Sequence, residues 1–536
     1  MGSNRGRKQP DPTQRTRSMV YSARAAVATS HPLASVTAID MLRRGGNAVD
    51  AAIAAIAVQC VVEPHQTGIG GDCFALYMPK GATAPIGLSG AGRAPAAANP
   101  AWYAGQGITE LALDSPHSVT VPGAVAGWCR LLADHGRLSL GDVLEPAIRC
   151  ARDGYVVQPV VGLDWSMEAP ILAGHKMAAS VFLPEGRPIP AGAMHRQPLL
   201  AATLDILARD GHDGFYAGAV AADMVECLRA HGGLHSLQDF ADARADYVSA
   251  ISTRYKGYDI LELPPSGQGL AALMMLNVLD GMDLSDPAVS EADRIHILAE
   301  LAKLAYHHRD HLFGDPDFAA TPVRELLSPD WAEFARGRID MSRAAAPTVW
   351  PEVTQRDTVY ACVIDEDGNA ISFINSLFHS FGSRIMAPRT GVLFHNRGAQ
   401  FSLVAGHPNA IAGGKRPLHT LIPGMVMKDG ACIAPFGVMG GPYQAAGHAE
   451  LLSNILDLGM DVQQALDAPR SFAYRGVLNV ERQPDAGLIE NLRARGHDAR
   501  WSPTMIGGGQ IIWRDPQSGV LAAASDPRKD GCALGL

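Results

Sequence analysis

The sequence predicts a mixed α/β (α+β) fold, and three observations predict it. Helix and strand signals alternate over the first third, the middle is mostly helical, and short β-runs with glycine turns dominate after residue 358. In the first third, "HPLASVTAIDMLRRGGNAVDAAIAAIAVQCVV" holds two helical patterns broken at Gly45-Gly46, with Asn47 placed to cap the second. The loop "EPHQTGIGGDCF" then leads into a strand over 74–78. From about 138 to 244, "LSLGDVLEPAIRCARDGY", "QPLLAATLDILARDG" and "GAVAADMVECLRAHGG" read as helices ending on glycine. "RYKGYDILELPPSGQG" reads as a strand into a Gly/Pro loop, and "GLAALMMLNVLDGM" and "ADRIHILAELAKLAYHHRD" as helices. Segment 311–357 carries Pro316, Pro322, Pro329, Pro347 and Pro351 and is expected to be irregular. "QRDTVYACVIDEDGNAISFINSLFHSFGS" is a β-hairpin: 359–364 is rich in β-branched and aromatic residues, 365–368 is turn chemistry, and 370–374 resumes the strand. Helices are expected near 445–458 and 462–468.

A chain of 536 residues suggests two to four domains, with the natural break at 357/358. Hydrophobic residues at 47% and charged residues at 18% exclude a disordered chain. The net charge of −9 excludes a nucleic-acid surface, which needs a basic face. The apolar run "AAIAAIAVQCVV" is too short to span a bilayer and contains Gln59, so no membrane partner is expected. The basic N-terminus has no following apolar region, which argues against a secretory signal; residues 1–24 are expected to be a disordered arm. Eight cysteines without CxxC spacing fit reduced thiols, and a cytoplasmic location is the expectation that follows.

The common catalytic signatures fail. "GIGGDCF" lacks the spacing of a dinucleotide or phosphate loop, and its helix lies before it. "PPSGQG" is not a nucleophile elbow. In "HHRDH", His307 and His311 share a helical face, but a solvated helix end accounts for them, and no metal site is expected. Thr358 is different. A threonine hydroxyl is a poor nucleophile unless a base takes its proton. If the Asp357–Thr358 bond were cut, Thr358 would carry an α-amine of unperturbed pKa about 7.7–8, a built-in base beside its own Oγ.

The remaining pieces give that idea weight. "GGNAVDAAIAA", "GIGGDCF", "SVTVPGAVAGW", "EPAIRCARDGY", "PPSGQG", "DTVYACVIDEDGNAIS", "FGS", "GKRPLHTLIP", "MGGPYQ" and "ASDPRKDG" occur in this order from about residue 25 to the end. On these pieces the sequence resembles the gamma-glutamyltranspeptidase (glutathione hydrolase) family of N-terminal-nucleophile hydrolases, closest in pattern to its gamma-glutamyltransferase-like and oxamate amidohydrolase-like members. The resemblance implies a four-layer αββα sandwich built jointly by two subunits of one precursor, a large one over 25–357 and a small one over 358–536. Self-cleavage would fall between Asp357 and Thr358. It implies Thr358 as nucleophile, Ser376 as its hydrogen-bond partner, and Gly440 and Gly441 as the oxyanion hole. No cofactor is needed, and a homodimer of processed heterodimers is compatible with it.

Substrate positions depart from the family pattern. Where glutathione-cleaving members hold the glutamyl α-amino group with an Asn, a Gln and an Asp, this sequence has Phe378, Arg397 and Gln400. A serine pair for the α-carboxylate becomes His419 and Thr420. The family's large-subunit arginine lies four residues before a proline, whereas Arg93 lies two before Pro95. A guanidinium in place of an acid suits a carboxylate and repels an ammonium. The expected substrate is a small acidic amide: a gamma-glutamyl or related acidic acyl amide, with oxamate, another dicarboxylic monoamide or a glutaryl/cephalosporin-type amide as the alternative. An unprocessed, inert binding homologue is the rival from another class.

Overall fold

The computed structural model describes residues 17–346, 356–485 and 487–536, with side chains from Thr358 onward in the strand that begins at Arg356. The first sixteen residues of the expected arm, Pro347, Pro351 and the side chain of Asp357 lie outside the described residues.

Two seven-stranded antiparallel sheets form the centre. One runs, in spatial order, Val20–Ser22, Leu521–Ser525, Gly508–Arg514, Ala431–Met439, Gly424–Lys428, Tyr258–Glu262, Ile251–Tyr255. The other runs Cys532–Gly535, Ala26–Thr29, Arg356–Ile364, Ala370–His379, Asp72–Met78, Ile86–Gly90, Asp246–Val248. Side chains alternate across a strand, and the hairpin uses both faces. Val359, Ala361 and Val363 join the cluster beneath the helices Pro32–Arg43 and Ala48–Val62, while Tyr360, Cys362 and Ile364 pack between the sheets. Helices Gly269–Asp280, Glu291–Leu312 and Tyr443–Leu456 cover the outer face of the first sheet. The layers are therefore helix, sheet, sheet, helix, as the resemblance implied.

The near-continuous apolar run at Ala48–Val62 follows from this position. All fifteen residues are buried, so the helix needs no polar face. Asn47 caps it as expected, in a capping box with Asp50. A second acid, Asp365 of the hairpin turn, accepts the Ala48 amide at 2.9 Å and the Asn369 amide at 2.9 Å, tying the turn to the helix start. Asp365→Ala leaves these buried donors unmet and is expected to lower stability by about 2 kcal/mol, read as a urea midpoint shift at unchanged slope.

At the other end of the same helix, Glu63 is fully buried. Burial raises its pKa from 4.5 to about 7 against hydrogen bonds from Ser30 and Gln59. The folded state thus holds a proton that the unfolded chain releases above its ordinary carboxyl pKa. This contribution to stability is full below pH 4.5 and is lost as pH rises through about 7. Glu63→Gln is expected to remove a slope worth about 3 kcal/mol, checked by urea midpoints of both proteins at the two ends of that range.

Several expectations need correction. The arm does not run disordered to residue 24: Val20–Ser22 pairs with Leu521–Ala523, because its β-forming residues complete an open sheet edge. The stretch 311–357 is not uniformly irregular; it contains helices Val323–Leu326 and Pro329–Arg336, the second capped by Ser328 with Pro329 at a first-turn position where a missing N–H costs nothing. "RYKGYDILEL" is a hairpin rather than one strand, turning at Lys256-Gly257 where both φ are positive. The 357/358 junction lies inside a strand, and residues on either side of it contribute to both sheets, so it separates no spatial domains. All eight cysteines are free thiols. Among the described residues no helix is long and apolar enough to cross a membrane.

Candidate active site

The hairpin register shifts beside Thr358. Asp357 faces Phe378, but Val359 already faces Asn375, so Ser376 and Leu377 together stand opposite one residue. Such a bulge re-aims side chains. Thr358 is 1% exposed, and its hydroxyl donates to Ser376 Oγ at 3.2 Å. Ser376 Oγ in turn accepts the Phe378 amide at 2.7 Å, which holds Phe378 at a φ of +82°. The Thr358 carbonyl is held too. With its amide oriented by the surrounding network, Gln66 donates to Thr358 O at 2.8 Å and accepts from Lys529 Nζ at 2.9 Å.

Across the ladder from Ser376 lies Asp72, fully buried. Its Oδ1 accepts the Gly92 amide at 2.9 Å and the Gly123 amide at 3.0 Å, and its Oδ2 lies 3.1 Å from His419 Nε2. Burial alone would raise its pKa, but His395, His419 and Arg397 outweigh that and hold it at about 2. His419 is pushed down to about 4 by burial and by the Arg397 charge, against the pull of Asp72, so it is neutral at pH 7. His395 is lowered as well, chiefly by burial; its Nε2 donates to Thr120 O at 3.0 Å and its Nδ1 accepts the Arg397 amide at 3.1 Å. Arg397 is among the largest fully buried side chains. Its Nη1 donates to Thr420 Oγ1 at 2.7 Å, and its guanidinium carbon lies 4.1 Å from the centre of the Phe378 ring. The charge inventory of this cluster is one carboxylate, one guanidinium and two neutral imidazoles.

Strand Ala431–Met439 ends at Gly440 and Gly441, with φ of +116° and +59°. Both values favour glycine, and neither amide donates a hydrogen bond within the described chain. The Gly441 carbonyl accepts from Gln268 Nε2 at 2.8 Å, and the same nitrogen donates to the Thr420 carbonyl at 2.9 Å. A chain of contacts therefore links Gly441, Gln268, Thr420, Arg397, Phe378, Ser376 and Thr358.

Most of the residues singled out from sequence meet here: Thr358, Ser376, Phe378, Arg397, His419, Thr420 and the Gly440–Gly441 pair. Arg93 does not join them. Its guanidinium pairs with Asp246 at 3.2 Å and Asp317 at 3.3 Å and donates to the Gly414 carbonyl at 2.9 Å, within an ion-pair network shared with Arg416. Gln400, half-buried, closes the short turn Arg397–Gln400, where its carbonyl accepts from Asn409 at 2.6 Å. Asp72, His395, Gln66 and Gln268 join the site without a sequence assignment of their own. Asp72 and Gln268 each sit inside a quoted glycine loop, and a lone polar side chain among glycines was the available signal.

His307 and His311 are exposed, with rings 4.3 Å apart. A second group, His296, Glu300 and His497, brings ligand atoms within 4.8 Å of one another. There His296 Nδ1 and His497 Nε2 share a hydrogen bond at 2.7 Å and Lys303 takes Glu300 Oε1 at 2.7 Å, so these atoms already have protein partners.

Comparison with known proteins shows the family. A family model described as Gamma-glutamyltranspeptidase matches residues 34–536. The chain is 35% identical over 530 residues to the glutathione hydrolase-like YwrD proenzyme of Bacillus subtilis, covering 96% of this chain and 99% of that one. It is 34% identical over 521 residues to the oxamate amidohydrolase proenzyme of Klebsiella pneumoniae, covering 94% and 97%. The crystal structure of cephalosporin acylase from Bacillus halodurans matches with a TM-score of 0.92 at 37% identity, covering 100% of this chain and 99% of that one. The chain belongs to the gamma-glutamyltranspeptidase family of N-terminal-nucleophile hydrolases, and is an enzyme of that family acting on amide bonds.

Proposed function

We propose that this protein cuts itself between Asp357 and Thr358 and then uses Thr358 as the nucleophile of an amide hydrolase or acyltransferase for acyl groups ending in a carboxylate. The observation that carries the reading is the buried Thr358 hydroxyl, bonded to Ser376 at a bulge in the central hairpin. In self-cleavage, Thr358 Oγ adds to the Asp357 carbonyl carbon, the C–N bond breaks to give an ester, and water hydrolyses it. The freed α-amine is then the general base. It takes the hydroxyl proton as Oγ attacks the substrate carbonyl, and the oxyanion is stabilised by the Gly440 and Gly441 amides. Collapse expels the amine, which takes that proton. Water or another amine then releases the acyl group from Oγ.

For the acyl group, the buried Arg397 guanidinium supplies a positive charge. Asp72 is held in place by the Gly92 and Gly123 amides on its Oδ1, with His419 beside its Oδ2, which limits its turning toward an ammonium. This favours glutaryl-type amides or oxamate over gamma-glutamyl amides. The names of the oxamate amidohydrolase and cephalosporin acylase relatives support the same direction. A denaturing gel tests the cleavage directly: chains of residues 1–357 and 358–536 are expected, and a persistent full-length band would instead mean an unprocessed, inert homologue.

A further inference from the structure

The glycine loop "PPSGQG" contributes no group to the chemistry above, yet its glutamine stands at the junction of the two halves of the site. Gln268 is fully buried. Its carboxamide nitrogen is shared by two backbone carbonyls, Gly441 at 2.8 Å and Thr420 at 2.9 Å. Its oxygen accepts from Arg309 Nη1 at 2.8 Å, and Arg309 is itself buried, held by Asp310 at 2.7 Å and lying 4.5 Å over the Tyr306 ring. Arg309 therefore fixes which end of the amide faces the two carbonyls, since only the nitrogen can donate to them.

The two carbonyls belong to different functions. Gly441 is half of the oxyanion pair; without a Cβ its peptide planes turn easily, and its carbonyl is held from two sides, by Gln268 and by the Gln444 amide at 3.1 Å. Thr420 carries the hydroxyl that receives Arg397. Gln268 is the side chain that bonds both carbonyls, and so it couples the spacing of the oxyanion amides to that of the acyl anchor. That spacing decides whether an acyl chain held at Arg397 presents its carbonyl oxygen to the donors, and sub-ångström errors there are costly.

We infer that Gln268 is a positioning residue: it acts through the Gly441 and Thr420 carbonyls to hold the oxyanion amides in register with the acyl anchor, without touching substrate. The inference rests on the reading of Thr358 and Gly440–Gly441 given above. That reading is checked first, by processing and turnover in the wild type and their loss in Thr358→Ala.

The test is Gln268→Met, close in size but lacking both donors. kcat on a glutaryl amide is expected to fall about 10- to 100-fold with KM changed less than threefold, the pattern of a damaged oxyanion hole. Affinity for a carboxyalkyl boronic acid, which forms a tetrahedral adduct with a hydroxyl nucleophile, is expected to fall in parallel with kcat. A purely structural role would lower the melting temperature without linking these two numbers. Gln268→Glu keeps the acceptor for Arg309 and loses the donors, so it supplies the same readout if the methionine variant does not fold. Wild-type kcat in a folded variant, or a lower kcat with unchanged boronate affinity, would overturn the inference. So would failure of both variants to yield processed protein, which would make Gln268 a requirement of folding or self-cleavage instead.

Discussion

Thr358→Ala is expected to give a single full-length chain on a denaturing gel and to lose turnover on the order of 10⁶-fold, the scale seen when a covalent nucleophile is removed. Both losses come from one atom. Without Oγ nothing attacks the Asp357 carbonyl, so the α-amine is never freed; and even a chain supplied with that amine would have no group to carry the acyl. The fold should be retained, because among the described residues the hydroxyl bonds only Ser376, and the alanine methyl still fills the buried strand position. A native circular-dichroism spectrum and a cooperative unfolding transition for the alanine protein would separate lost chemistry from lost folding. Thr358→Ser keeps the hydroxyl and drops the methyl that restricts χ1, so it should still process, more slowly, and retain measurable turnover. In the wild type, kcat/KM should rise through the range of an α-amine, about pH 7.7–8, as the base loses its proton, and then level off. A Thr358→Ala protein that still splits would sink the assignment of the nucleophile.

How much of this was legible beforehand differs between the layers of the problem. The hairpin strands announced themselves by alternation, and the helix Ala48–Val62 by an apolar run with a cap, because both signals are local. The partnering of sheets was not local. Val20–Ser22 meets Leu521–Ala523 across almost the whole chain, and nothing in three residues encodes that. The site divided the same way. Thr358, Ser376 and the glycine pair were reachable through order of motifs along the chain. Asp72 was not, because its role depends on the amides of Gly92 and Gly123 and on His419, all distant in sequence. Arg93 shows the same limit from the other side: it stands near the right motif, but its partners in the fold, Asp246 and Asp317, lie more than a hundred residues away.

The substrate prediction has the next largest expected effect. Glutaryl and gamma-glutamyl p-nitroanilides differ only by the α-ammonium group, so a comparison isolates that charge. An ammonium about 5 Å from a guanidinium costs about 3 kcal/mol at an effective dielectric of about 20, or about two decades in kcat/KM. Asp72 offsets part of this, but its Oδ1 accepts the Gly92 and Gly123 amides, and turning the carboxylate toward a new cation would unmake those bonds. The glutaryl amide is therefore expected to be the better substrate by about 100-fold. Arg397→Met should erase most of that preference by slowing the glutaryl amide, while an uncharged butanoyl amide should change far less, since it never used the guanidinium. Arg397→Lys keeps a charge but loses the planar fork that rests on Phe378 and reaches Thr420, and should recover only part of the rate. If the gamma-glutamyl amide proves equal or better, or if Arg397→Met slows all three acyl chains alike, Arg397 supports the shape of the pocket and does not choose its substrate.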